Sequence, residues 1–105
     1  MKAFKFKYAG QRKYIFDHEI SRIEAAENYS IVHLIEGKKI IIAKTLKKFE
    51  EELKIGFFRI NRSTLINLNY IKKNSGDQII LKNGQEYRIS RRRLNNFSIL
   101  INKAI

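Results

Sequence analysis

The chain holds 105 residues, with 22 Lys and Arg against 10 Asp and Glu, a formal net charge of +12, and no Cys, Pro or Trp. A chain this short buries roughly two-thirds of its unfolded surface, enough for one core and too little for two, which excludes an enzyme that sets a cofactor domain beside a substrate domain. Without Cys there is no disulfide framework or thiolate metal site. His18 and His33 lie too far apart in sequence to form a local ligand pair, so no metal and no cofactor are expected. The N-terminal run interleaves Lys with aromatics and lacks an apolar signal segment, and no stretch approaches the roughly 18 apolar residues of a membrane span. The expected setting is cytoplasmic. Because 44% of the residues are hydrophobic, the excess charge must sit on a folded surface rather than a disordered tail. Such a surface repels itself, and a polyanionic partner relieves the repulsion: nucleic acid is the first candidate, an anionic membrane surface the second.

The dominant hydrophobic period is two. Phe4, Phe6 and Tyr8 alternate with Lys5 and Lys7, which predicts a half-buried strand ending at Gly10. Further strands are predicted at Lys13 to Phe16 and Arg22 to Ala25. Ser30 to Ile35 and Lys39 to Ala43 are β-branched runs joined by Glu36-Gly37-Lys38, a hairpin pattern. Thr45 then precedes Leu46, Phe49 and Leu53 at helical spacing, with Glu50, Glu51 and Glu52 on the outer face and Gly56 as a stop. This predicts a short helix capped by Thr45. Strands resume at Phe57 to Ile60, Leu65 to Ile66, Tyr70 to Lys72, Gln78 to Leu81 and Gln85 to Ile89. Asn83-Gly84 joins the last two as a type I′ hairpin signal. Leu94, Phe97, Leu100, Ile101 and Ala104 predict a terminal helix starting near Arg91, which places Arg91, Arg92 and Arg93 in its first turn. Cations there oppose the helix dipole by a few tenths of a kcal/mol each, a cost that makes sense if they face phosphates.

The charge is unevenly spread. Residues 55 to 105 carry ten basic and two acidic residues, and so +8 of the +12. Most of these cations are Arg, clustered in Phe58-Arg59-Ile60-Asn61-Arg62-Ser63 and Arg88-Ile89-Ser90-Arg91-Arg92-Arg93, and Arg offers a planar donor fork to phosphates and guanine edges. The pleat sets Phe58 and Ile60 opposite Phe57 and Arg59, and Tyr87 and Ile89 opposite Glu86 and Arg88. Each strand can therefore bury one face and deliver the chain to an Arg-rich loop. A third loop, Glu27-Asn28-Tyr29, offers an amide and an aromatic ring to bases.

Taken together, Ile23-Glu24-Ala25 with Asn28-Tyr29, the segment Phe58 to Ser63 with Leu65-Ile66-Asn67 and Ile71, and Leu81-Lys82-Asn83-Gly84 with Ile89-Ser90-Arg91-Arg92 strongly resemble the LytTR family of bacterial DNA-binding domains. The resemblance runs from about Tyr14 to Arg93 and implies a mainly β fold of stacked small antiparallel sheets with one short inserted helix and a C-terminal helix. It implies one domain over residues 1–105 that inserts loops into successive major grooves of double-stranded DNA as a transcription regulator without enzymatic activity. Carried over by position, base contacts fall on Asn28, Tyr29, Arg62 and Arg92. Phosphate contacts fall on Arg59, Ser63, Arg88, Ser90, Arg91 and Arg93. The implied partners are direct-repeat-like promoter sites, and a receiver domain or a second copy on DNA. With no receiver domain in the sequence, the expectation is a stand-alone regulator or an excised C-terminal domain. Asn61 stands where the family often has His, and Thr64 where it often has an aromatic residue, so base preference at that loop is open.

Plainer readings compete at several positions. Asn28 and Tyr29 serve equally well as a turn with its ring folded onto the core. Asn61 and Asn67 read as turn caps, His18 and His33 as surface residues without a carboxylate pattern around them, and Phe49, Phe57 and Phe58 as core. An RNA- or ribosome-associated binder is the alternative function; it calls for exposed aromatics on a sheet, which here read as buried. A small ribonuclease pairing His18 or His33 with Glu24 or Glu27 needs a geometry the sequence does not suggest.

Overall fold

A computed structural model describes residues 2–8 and 10–103. Ten strands form three antiparallel sheets. β1 (Ala3–Tyr8) and β2 (Gln11–Phe16) make an N-terminal hairpin in which Phe4 faces Ile15, both buried. A five-stranded sheet follows, in the order β5, β4, β3, β7, β6, from β3 (Ile20–Ala26), β4 (Tyr29–Leu34), β5 (Lys39–Ile42), β6 (Phe57–Asn61) and β7 (Thr64–Asn67). β8 (Ile71–Ser75), β9 (Gln78–Leu81) and β10 (Glu86–Arg88) form the third sheet, with β9 in the middle.

Both faces of the central sheet are covered where β3, β7 and β6 lie, so its buried side chains fall in two clusters rather than the single core expected from length. Ile23, Leu65 and Phe57 pack with Phe4, Val32, Leu46 and Phe49. Ile66 and Ile60, one pleat step away, pack with Ile79, Leu81, Ile89 and Phe97. All four residues of β7 are consequently buried.

The helices seal these two clusters. α1 (Leu46–Glu52) buries Leu46 and Phe49, and the Thr45 hydroxyl accepts from the Lys48 amide at 3.3 Å, so the predicted cap forms. α2 (Arg91–Lys103) buries Phe97, whose ring meets Phe58 edge-on at 5.3 Å and 68°. Ala104, placed on the same stripe by periodicity, lies outside the described residues.

Two local expectations are corrected. Tyr70 closes a 3-10 turn (Leu68–Tyr70) rather than opening a strand: the Asn67 side chain accepts from the Asn69 amide at 2.9 Å and donates to the Ile20 carbonyl at 2.8 Å, capping that turn and tying it to β3. The β9–β10 hairpin is not type I′. Leu81 pairs with Gln85 across a three-residue loop in which Gly84, at φ +90°, alone takes the left-handed conformation, while the Asn83 side chain accepts from the Gln85 amide. Glu50 and Glu51 are exposed on the outer face of α1 as expected, and two of the three glutamates also pair: Glu50 accepts from Arg59, and Glu52 from Lys44 at 2.8 Å.

Candidate nucleic-acid interface

The three predicted loops meet along one end of the central sheet, stitched by backbone hydrogen bonds. β3 and β4 are joined by a two-residue turn, Glu27-Asn28, and β6 and β7 by another, Arg62-Ser63. The Ala25 amide donates to the Ser63 carbonyl at 2.9 Å, which sets these two turns side by side. On the other flank, the Ser90 amide donates to the Ile60 carbonyl at 2.8 Å and brings the β10–α2 junction against β6. Residues 28, 62 and 90, scattered through the sequence, thus become neighbours in a row because β3, β7, β6 and the β10–α2 junction are consecutive in space.

The first turn is strained. Glu27 takes φ +56°, the only non-glycine residue with positive φ among those described, at a cost of order 1 kcal/mol. Asn28 is exposed, and Tyr29 keeps 50% of its surface in solvent, so its ring is not folded onto the core. In the second turn Asn61 acts as the expected cap, its side chain accepting from the Ser63 amide at 2.8 Å, while Arg62 and Ser63 are exposed.

At the third, Arg91 and Arg92 stand exposed in the first turn of α2, Arg93 is half-buried, and the Ser90 carbonyl accepts from the Arg93 and Leu94 amides, each at 3.0 Å. With no acid in that turn, the helix N-terminus and three guanidinium groups add their positive fields. A cleft of about 470 Å³ between α1, β6 and α2 is lined by Glu50, Lys54, Arg59, Arg92, Arg93 and Asn96 among others. Partial burial, and then the charges of Arg59 and Arg92, hold Arg93 below the usual guanidinium pKa.

Two predicted phosphate ligands differ from the rest. Arg88 is 73% exposed on β10 and lies 3.5 Å from the carboxylate of Asp77 in the β8–β9 turn. Arg59 is turned inward: only 19% of its side chain is exposed, and it bonds to Glu50 and to the Arg62 carbonyl.

Sequence reasoning missed a polar cluster on the face of the central sheet that the third sheet approaches. Arg22 on β3 faces His33 on β4, and His33 Nε2 lies 2.6 Å from Glu24 Oε1. The Arg22 guanidinium stacks over the Tyr87 ring at 5.9 Å. Burial first, then Arg22, pushes His33 below its ordinary pKa, with Glu24 pulling the other way. The only signal in the sequence was the pair Arg22 and Glu24 on one face of a predicted strand, and its partners depend on register. Glu24 does pair with a histidine, but that ring is fixed beside a buried arginine.

Nor are all the aromatics buried. Tyr14, Phe16 and Tyr29 are exposed, the first two on the hairpin strand β2. Among the described residues no helix is long and apolar enough to cross a membrane, and no cluster of His, Asp and Glu could hold a metal ion.

The family profile described as LytTr DNA-binding domain matches residues 11–102. Among solved structures, the LytTr DNA-binding domain of a putative methyl-accepting/DNA response regulator from Bacillus cereus superposes with a TM-score of 0.80 at 21% identity, over 96% of this chain and 97% of that one. The shared fold is the set of small antiparallel sheets with two helices described above. No curated protein matches the sequence.

Proposed function

The chain belongs to the LytTR family of DNA-binding domains, and from that premise we propose that it reads specific double-stranded DNA sequences through the three stitched turns, as the output domain of a bacterial transcription regulator. The observation that carries this reading is the pair of backbone bonds, Ala25 to Ser63 and Ser90 to Ile60, which align the turns into one basic ridge. Asn28 and Tyr29, Arg62 and Arg92 supply base contacts. Arg grips guanine O6 and N7 with two hydrogen bonds, and Asn does the same for adenine N6 and N7. Ser63, Arg88, Ser90, Arg91 and Arg93 hold phosphates. The Ser63 and Ser90 amides already donate within the protein, so their hydroxyls make those contacts.

On this reading the three turns enter successive major grooves; the molecule is 43 Å long, against roughly 34 Å for one DNA turn. Two or more copies bind direct-repeat-like sites, with a receiver domain or a second copy on DNA as the further partner.

Selection of bound sequences from random duplexes, followed by titration of the winner, tests the reading. Affinity should fall with salt at a log–log slope of about −0.9 per phosphate neutralised. Arg62→Ala and Arg92→Ala should each cost about 1 to 3 kcal/mol and relax preference at one base pair, while Arg91→Ala weakens all sequences alike. A slope near zero, or no enriched sequence, rejects it. The exposed rings of Tyr14 and Phe16 favour a second reading, RNA binding by stacking. Structured and single-stranded RNA therefore belong in the same titration, and RNA outcompeting the selected duplex selects that alternative.

A further inference from the structure

Arg59 sits on the α1 side of β6 and spans two elements with one guanidinium. Its Nη1 donates to Glu50 Oε1 of α1 at 3.2 Å, and its Nη2 donates to the main-chain carbonyl of Arg62 at 2.6 Å. Its Nε is enclosed by protein with no partner among the described residues, and so is shielded from any phosphate. The turn it grips is fastened elsewhere too, through the Ser63 carbonyl to Ala25 and the Ser63 amide to Asn61. Arg59 supplies the remaining anchor, at the residue whose side chain is to read a base.

We propose that Arg59 is a positioning residue and not a phosphate ligand: anchored by Glu50, it fixes the main chain of the Arg62-Ser63 turn so that Arg62 enters the groove already oriented. A planar fork aims two donors in different directions at fixed angles, which the single ammonium of Lys cannot reproduce. The pairing also accounts for an acid in an unfavourable place. Among the described residues Glu50 is the one carboxylate lining the Arg92–Arg93 cleft, where it weakens attraction to any polyanion; holding Arg59 gives it a reason to be there. The inference rests on the DNA-binding reading of Arg62, and it removes Arg59 from the phosphate set implied by the family resemblance.

The test compares wild type with Arg59→Lys, Glu50→Gln, Arg62→Ala and the Arg59→Lys/Arg62→Ala double variant. Affinities for the selected duplex, and for duplexes altered at the base pair read by Arg62, are measured across salt. Backbone order parameters of Arg62 and Ser63 are measured by NMR in the free domain. Arg59→Lys should keep the salt slope yet lose about five-fold or more in discrimination at that base pair, and the double variant should lose no more than Arg62→Ala alone. Glu50→Gln should bind unrelated DNA more tightly and still discriminate less, and both variants should loosen the turn without DNA present. Intact discrimination and an equally ordered turn in both variants, with losses spread evenly over all sequences, overturn the proposal. If wild type binds no duplex, the DNA reading fails by itself, and the order parameters alone decide whether Arg59 holds the turn.

Discussion

His33 shows what a single side chain contributes here beyond the interface. In the folded protein its pKa lies below the ordinary 6.5, chiefly because burial disfavours the charged ring and Arg22 repels it. On the acid side of 6.5 the unfolded chain therefore binds more protons than the folded one, so the stability due to neutral His33 is complete above that pH and drains away as pH falls through it toward the lowered value. Thermal unfolding followed from pH 8 to pH 5 should show the wild-type midpoint falling relative to His33→Gln, with the gap opening below about pH 6.5. None of this was readable along the chain. Glu24 and His33 are nine residues apart, and their contact depends on the pairing of Arg22 with His33 across β3 and β4. Arg59 is a parallel case: its strand and its face follow from the pleat, but its grip on Glu50 and on Arg62 needs α1 packed against β6.

At the level of elements, local signals served well wherever a single segment decides its own shape. Thr45 caps α1 as its residue type suggests, and Thr45→Ala should lower stability by about 1 kcal/mol in urea unfolding. α2 depends on packing. Its buried anchor is Phe97 against Phe58, so Phe97→Ala should cost about 3 to 5 kcal/mol and loosen the helix start that presents Arg91 to Arg93, weakening duplex binding without touching a ligand. Equal binding by a folded Phe97→Ala domain would show that the three arginines need no packed helix. Asn83-Gly84 marks the opposite limit. The dipeptide signals a hairpin and one forms, but the extra residue taken into the loop leaves Asn83 as a side-chain acceptor rather than a left-handed corner.

For the whole molecule, charge and shape act together. Among the described residues, ten strands in three small sheets give two buried clusters on opposite faces of the central sheet and a body 43 by 24 by 23 Å. Its +12 charge repels itself when free and is neutralised on a polyanion. Raising salt from about 50 to 200 mM should therefore raise the melting temperature of the free domain while lowering its affinity for duplex, two slopes of opposite sign in one buffer series. A free domain destabilised by salt would mean that attractive ion pairs outweigh self-repulsion. By itself the sequence determined the strand and helix inventory and the Arg-rich ends of two strands, because period-two burial, caps and turn residues act over a few neighbours; the family was legible as a resemblance of its motifs, which the profile match over residues 11–102 bears out. Only the tertiary structure decided that the turns at Asn28, Arg62 and Ser90 lie in one row, that Arg59 faces inward and that two clusters replace one core. Those outcomes rest on which strands become neighbours, and that order is set by burial over the whole chain rather than by any segment of it.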